Sequence, residues 1–380
     1  MHNAPLSLTF SDAQILTPDG LMAGDLSISE GFIGRSCGRR INADGYLILP
    51  GIIDLHGDGF EHHMAPRRGA QSEPTQGLRA VEAELAANGI TTAMLAQFFS
   101  WEGGMRGPDS AETLIRAVAD HDAGTDLHIQ LRLEVAVSDL FDRASALIDA
   151  ARIRYVVLND HLPHRALAAG KRPPRLTGQA LKSGRSPEAH LAMLQDLHKS
   201  MPRAIAALAE LTSDLTAKGV RLGSHDDRTS EDRARFRALG ADICEFPETL
   251  KAAETARAAG EPIIMGAPNV VRGGSHDKKI AAADLIAKDW VDALVSDYHY
   301  PSLHRAALKL WQDGLPLQQA WGLVSSGPAR VMGWDDRGHL SPGLRADLVL
   351  MHAQTRRIEG VLCHGRVTHL SGELAARMVG

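Results

Sequence analysis

The feature that most constrains this chain is an alternation, repeated eight times, of short apolar segments with amphipathic helical segments. Such apolar runs are typical of parallel strands buried on both faces. The eight predicted strands are Gly51–His56, Ile90–Ala96, His128–Val135, Tyr155–Asn159, Val220–Ser224, Ile243–Phe246, Ile263–Gly266 and Ala293–Ser296. Predicted helices separate them, for example Pro74–Ala87. Eight strand–helix units predict an α/β fold, a TIM-like (β/α)8 barrel rather than an open sheet.

Both ends of the chain have a different pattern, with short strands separated by turns. The predicted strands are Leu6–Phe10, Ala13–Leu16, Asp25–Ile28, Phe32–Gly34, Gly45–Leu49, Ala346–His352, Ile358–Cys363 and Arg366–Leu370. Since the two ends of a barrel domain can meet, we expect these segments to form one small β-sandwich. The predicted domains are therefore 1–50 plus 338–380 for the sandwich and 51–337 for the barrel.

Composition excludes several classes of protein. The net charge of −5 gives no basic field for nucleic acid or an anionic membrane. No apolar run approaches the ~20 residues that span a bilayer. The three cysteines, Cys37, Cys244 and Cys363, are far apart and do not suggest a disulfide scaffold. Met1–Phe10 lacks the pattern of a signal peptide, so we expect a cytoplasmic protein. The sequence leaves the oligomeric state open, with a homo-oligomer as one alternative.

Ionisable side chains lie at or just after the carboxyl ends of five of the eight predicted strands. They are His56 and Asp58, Glu134, Asp160 and His161, His225 with Asp226 and Asp227, and Asp297. A barrel places its active site at the carboxyl ends of its strands. One such residue would be read as a helix cap or a solvated side chain. A set of imidazoles and carboxylates on one rim instead predicts a divalent metal site with a position open for water.

The sequence resembles the amidohydrolase superfamily at both ends of the barrel, in Leu49–His56 and Gly338–Val349. Within it, the chain is similar to the diphosphatases of phosphonate utilisation that act on α-D-ribose 1-methylphosphonate 5-triphosphate. The similar segments are Asp54–Asp58 with Glu61 and Pro66-Arg67, Ser224–Asp227, Glu245–Pro247, Met265–His276 and Ser296–Tyr298. The most distinctive of them is Arg272–His276.

The resemblance implies a set of metal ligands. His56, Asp58 and Asp297 would surround one ion, and His161 and His225 a second, with Glu134 bridging. Asp160 or Asp226 could share the role of His161. Zinc is the expected metal, as one or two ions, and manganese or another divalent ion is an alternative.

The resemblance also implies a reaction and a small anionic phosphorylated substrate. Water activated by the metal would give its proton to Asp297, the catalytic residue, and attack the phosphorus nearest the ribose, so that pyrophosphate leaves. Gly273 and Gly274 could form a nest of backbone N–H groups for phosphate oxygens. The predicted substrate-binding residues are Arg67, Arg272, Gly273, Gly274, Ser275 and His276.

Three segments depart from the pattern of these diphosphatases and leave the substrate open. They are Gly57 and Gly59, Leu162–Arg165, and His299–Pro301. Residues 162–187 hold six Lys or Arg and no Asp or Glu, which predicts a long basic loop that closes over an anionic substrate. Two alternatives remain: an amidohydrolase acting on a C–N bond of a cyclic amide or N-acylated molecule, and a barrel scaffold without catalysis.

Overall fold

The computed structural model describes residues 4–35, 38–67, 72–274 and 279–380. The strands in them are β1 (Leu8–Thr17), β2 (Gly20–Ser29), β3 (Phe32–Ile33), β4 (Arg39–Asn42), β5 (Tyr46–Pro50), β6 (Ile52–Gly57), β7 (Ile90–Phe99), β8 (Asp126–Glu134), β9 (Tyr155–Asn159), β10 (Arg221–His225), β11 (Ile243–Glu245), β12 (Ile263–Gly266), β13 (Ala293–Val295), β14 (Leu348–His352), β15 (Ile358–Cys363) and β16 (Arg366–Leu370).

The helices connect these strands. They are α1 (Glu61–Met64), α2 (Pro74–Ala87), α3 (Pro108–Asp120), α4 (Phe141–Ala151), α5 (His164–Ala168), α6 (Leu176–Lys182), α7 (Pro187–Ala217), α8 (Ser230–Ala238), α9 (Leu250–Ala258), α10 (Ala267–Arg272), α11 (Ala282–Ile286), α12 (Ser302–Gln312), α13 (Leu317–Gly322), α14 (Ser326–Met332) and α15 (Gly372–Val379). Within the described residues, no helix is both long and apolar enough to cross a membrane.

The eight predicted barrel strands all exist and form one parallel sheet. Its order follows the chain from β6 to β13, and a parallel bridge joins Gly57, at the end of β6, to Asp297, after β13. Strands β6, β7, β9, β12 and β13 are buried at every position, which is why their sequences are mostly apolar and do not alternate between apolar and polar residues. The (β/α)8 fold class is confirmed.

Local sequence fixes the ends of the helices in a direct way, and α2 is an example. The carboxylate of Glu73 accepts a hydrogen bond from the backbone N–H of Gln76 at 3.1 Å, and Pro74 occupies the first helical position. Proline suits that position because its missing N–H would have no partner within the helix. After the helix, Gly89 takes a φ of 80° to turn the chain into β7.

The two chain ends form a second sheet, as predicted. Its order is β16-β15-β14-β5-β1-β2-β3, with β4 pairing with β1. Strand β14 pairs with β5 in antiparallel register, from Leu348 opposite Pro50 to His352 opposite Tyr46. The two strands predicted at Leu6–Phe10 and Ala13–Leu16 are in fact one strand, β1, with an irregularity between Phe10 and Ala13. Asp12 at that irregularity has a φ of 61°, so the break in hydrophobic alternation marks a bulge and not a turn.

The chain divides into two compact units. The first comprises Met1–Leu95, His121–His128 and Ile264–Gly380, and the second comprises Ala96–Asp120 and Ile129–Ile263. The strands of the barrel sheet are thus shared between the units, whereas the sheet of the chain ends lies in the first. The predicted domain boundaries, 1–50 plus 338–380 and 51–337, stay a prediction.

Candidate metal centre

Three predicted ligands come together in the first unit. His56, Asp58 and Asp297 each present a ligand atom within 4.8 Å of the others. Backbone hydrogen bonds hold them in this arrangement, because the N–H of Asp297 donates to His56 O at 2.9 Å and the N–H of Asp58 donates to Asp297 O at 2.8 Å. One imidazole and two carboxylates are a donor set that zinc and similar divalent ions accept, so these residues fit a metal ion.

A fully buried carboxylate, that of Asp54, connects the two strand ends that carry this group. Asp54 accepts hydrogen bonds from Ser296 Oγ at 2.5 Å and from Ser296 N at 3.0 Å, which ties the end of β6 to the end of β13. Burial raises the pKa of Asp54 above its usual value. Immediately after this tie, Asp297 takes a left-handed φ of 55°. Strained non-glycine backbone of this kind is often found at functional sites, where surrounding contacts maintain it.

The two glycines around Asp58 are explained by a buried aromatic ring. A Cβ atom on Gly57 would lie 2.6 Å from Cε1 of Tyr300 and 2.7 Å from Oδ2 of Asp54, and one on Gly59 would lie 3.0 Å from Cε2 of Tyr300. The ring of Tyr300 is 1% exposed. Two of the three departures noted in the sequence are therefore one packing arrangement, in which the tyrosine occupies the space that side chains at 57 and 59 would need.

A second group of predicted ligands lies in the second unit. His161, His225 and Asp226 present ligand atoms within 4.8 Å of one another. Asp226, which the sequence offered as an alternative ligand, lies 3.2 Å from His225 Nδ1 through its Oδ2 atom and has a φ of 60°. Asp160, the other alternative, instead accepts from His164 Nε2 at 2.9 Å. The structure therefore favours Asp226 over Asp160 as the third member of this group.

Glu134 belongs to the same unit and contacts His161. It is fully buried, its carboxylate lies against His161 Nδ1, and it accepts the His161 N–H at 3.3 Å. Glu102 completes a third possible ligand group with these two residues. Burial lowers the pKa of His161, but the charge and hydrogen bond of Glu134 outweigh this, so the net pKa is raised. Metal binding at His161 would work against this raised pKa, because an imidazole binds a metal ion in its neutral form. The bridging role of Glu134 stays a prediction.

Two residues that contact the predicted metal ligands were not predicted from the sequence. Arg132 donates through Nη2 to Nε2 of His225 at 3.0 Å and stacks 3.8 Å above the ring of Phe98. The second is Trp101, which donates its indole N–H to Glu134 Oε2 at 3.1 Å. Arg132 could have been found, since it precedes Glu134 by two residues in a strand and so shares its face. No comparable signal pointed to Trp101.

The contact with Arg132 affects how a metal would bind to the second group. A guanidinium can only donate, so Nε2 of His225 is the acceptor of this hydrogen bond. A metal ion at that nitrogen would have to replace the hydrogen bond from Arg132. The nitrogen that His225 would present to a metal in this group is therefore Nδ1, which lies 3.2 Å from Asp226 Oδ2.

The predicted substrate-binding residues after β12 are only partly placed. Ser275 and His276 lie outside the described residues. Arg272 is exposed and donates to Tyr298 Oη at 2.6 Å. The predicted phosphate nest is not formed, because the N–H groups of Gly273 and Gly274 donate to Val270 O and Asn269 O and so terminate α10.

The remaining predicted segments lie elsewhere. Arg67 is exposed, close to the end of a described range. The prediction that residues 162–187 form a loop without structure of its own is wrong, since α5 and α6 lie within it. The apolar residues Leu167, Leu176 and Ala180 anchor these helices by being buried.

Comparison with known proteins identifies related chains. Residues 61–369 match a model of the Amidohydrolase family. The chain is 30% identical over 372 residues to the alpha-D-ribose 1-methylphosphonate 5-triphosphate diphosphatase of Escherichia coli K12, covering 92% of this chain and 97% of that protein.

Solved structures show the same fold at lower identity. The N-acetylglucosamine-6-phosphate deacetylase of Thermotoga maritima superposes with a TM-score of 0.59 at 15% identity, covering 96% of this chain and all of the other. The beta-aspartyl dipeptidase of Fervidobacterium islandicum gives 0.54 at 15% identity, covering 96% of this chain and 97% of that one.

Proposed function

Because this chain belongs to the amidohydrolase family, we propose that it is a metal-dependent diphosphatase acting on a ribose 5-triphosphate. The proposed reaction converts α-D-ribose 1-methylphosphonate 5-triphosphate to the 5-phosphate and pyrophosphate. The relative at 30% identity is named for this activity, and the similarity extends over almost the whole of both chains.

The observation that carries the hydrolase proposal is the convergence of His56, Asp58 and Asp297. The three side chains come from two strand ends that are 239 residues apart by number, from 58 to 297, and a tie between buried groups fixes them. A divalent metal bound there lowers the pKa of a bound water to about 7. Packing alone gives no reason to place two carboxylates this close together, since like charges repel.

The chain's own residues supply the positioning and the proton transfer. The Asp297 carboxylate is held through its backbone contacts to His56 and Asp58, so it can accept the proton of an attacking water without reorganising. The water oxygen forms a bond to the phosphorus nearest the ribose. The bond from that phosphorus to the bridging oxygen breaks, and the bridging oxygen leaves on pyrophosphate.

The experiment that tests this proposal measures which phosphate product is released. Purified protein supplemented with zinc or with manganese is incubated with ribose 5-triphosphate, and pyrophosphate and orthophosphate are quantified separately. We expect pyrophosphate, and we expect Asp297→Asn to abolish it. Asp19→Asn removes an exposed carboxylate in the turn between β1 and β2 and serves as the matched control.

Two results would contradict the proposal. Release of orthophosphate alone would mean that the chain is cut at the terminal phosphate. Turnover of N-acyl amino acids without turnover of the triphosphate would instead support hydrolysis of a C–N bond.

A further inference from the structure

A cavity of about 830 Å³ lies beside the second ligand group, entirely within the second unit. His161, His225 and Asp226 line one side of it. The start of the basic segment, from Leu162 through Arg165 to Lys171, lines another. The predicted metal ligands and the basic segment thus face the same space.

Two of the cations on this cavity have no ion-pair partner in the described part of the chain, Arg165 and Lys171. The other two are already engaged. Arg228 donates to Glu248 at 2.8 Å, and Arg235 lies 3.8 Å from both Asp160 and Asp232.

The carboxylates around the cavity are also committed. Asp227 forms a buried ion pair with Arg233 at 3.2 Å, and Asp160 accepts from His164. Asp232 accepts from Thr229 N at 3.1 Å as part of the cap of α8. Asp226 belongs to the ligand group described above. Two cations therefore remain available, and the cavity as a whole favours an anion.

Local backbone structure brings these two cations together. Arg165 lies in α5, and the chain reverses at Gly170, which has a φ of 63°. The N–H of Lys171 then donates to Ala166 O at 2.9 Å, so Lys171 returns to the helix that carries Arg165. Short-range backbone contacts thus place both positions at the same part of the cavity lining.

We propose that this cavity binds a pyrophosphate-type anion, with Arg165 and Lys171 contacting its phosphate groups. The proposal rests on the proposed function for the identity of the ligand. Inorganic pyrophosphate is the simplest anion with this chemistry. A guanidinium can bind phosphate oxygens in a bidentate manner and an ammonium adds a point charge, so together they offset the charge of the bound anion.

The test measures pyrophosphate binding by isothermal titration calorimetry on the full chain. The variant Arg165→Gln/Lys171→Gln removes both cations. The control Arg172→Gln/Lys182→Gln removes two exposed cations from the same segment that do not line the cavity, so both variants lose the same net charge. We expect Kd to rise at least roughly tenfold in the first variant and by less than about twofold in the control. Added salt should weaken wild-type binding more than that of the first variant.

Several results would overturn the proposal. Equal losses in both variants would mean that only overall charge matters, and unchanged binding in Arg165→Gln/Lys171→Gln would remove these residues from the site. Absence of pyrophosphate binding by the wild type would also reject it. If pyrophosphate binds as expected but the wild type does not cleave ribose 5-triphosphate, the anion site stands and the diphosphatase proposal fails.

Discussion

Replacing Gly57 with alanine should damage both stability and the metal site. The added Cβ would lie 2.6 Å from Cε1 of Tyr300, 2.7 Å from Oδ2 of Asp54 and 2.9 Å from Oγ of Ser296. All three neighbours are essentially inaccessible to solvent, so none can move out of the way into water.

The magnitude follows from two separate costs. Overpacking a buried position destabilises by about 1–3 kcal/mol. Pushing Asp54 away from Ser296 weakens a buried hydrogen bond to a carboxylate, which adds about 1–3 kcal/mol. We therefore expect Gly57→Ala to lower the free energy of unfolding by about 2–6 kcal/mol.

Urea unfolding followed by circular dichroism measures the loss, and zinc binding measures the effect on His56 and Asp58. Gly178→Ala is the control, because Gly178 lies in α6 with nothing within 4 Å of its added Cβ. Alanine there should be neutral or stabilise by up to about 1 kcal/mol. A Gly57→Ala protein as stable as the wild type, with zinc affinity unchanged, would refute the packing argument.

Three further predictions concern groups around the site and at the junction of the chain ends. Trp101→Phe removes the donor to the buried Glu134, and we expect zinc affinity to fall by roughly 10–100-fold in competition titrations with the fold intact by circular dichroism. His190 is fully buried, and neither ring nitrogen has a hydrogen-bond partner in the described residues, so His190→Leu should raise the free energy of unfolding by about 1 kcal/mol. Burial raises the pKa of Asp126, but the hydrogen bond and charge of His128 at 3.0 Å and the charge of Arg345 at 2.7 Å hold this pKa well below its usual value. This carboxylate thus stabilises the fold above its unfolded pKa and loses that contribution as the pH falls, so Asp126→Asn should be less stable at neutral pH and lose less additional stability between about pH 5 and pH 2.

The barrel was predictable because its buried strands can be recognised from their apolar sequence segments. Parallel strands buried on both faces read as unbroken apolar runs, and the rule that barrel sites lie at carboxyl ends then selects residues such as His56 and Asp297. Strand ends differ from prediction by up to a few residues, as in β7, which runs to Phe99.

The failures have physical causes that sequence patterns do not record. The bulge at Asp12 interrupts hydrophobic alternation without ending the strand, so one strand was read as two. The helices in 162–187 are short and are fixed by burial of residues such as Leu176, which a composition rich in charge conceals. The phosphate-binding nest predicted at Gly273 is not formed, because this glycine caps the end of α10. A glycine in a nest and a glycine that caps a helix look alike in sequence.

Contacts across sequence distance were the least predictable part of the site. The tie between Asp54 and Ser296, the indole of Trp101 on Glu134 and the ring of Tyr300 against Gly57 all depend on where folded elements place side chains. A single sequence shows that these residues exist but not that they meet.

The most direct measurement is the metal content of the wild type and of Asp58→Asn/Asp297→Asn after equilibrium dialysis against zinc and, in parallel samples, against manganese, determined by inductively coupled plasma mass spectrometry. If His56, Asp58 and Asp297 hold a catalytic ion, the wild type will retain stoichiometric zinc and the double variant will lose the ion at this group. A wild-type protein that retains neither zinc nor manganese, or a variant that retains as much as the wild type, would contradict the metal centre and with it the hydrolase mechanism.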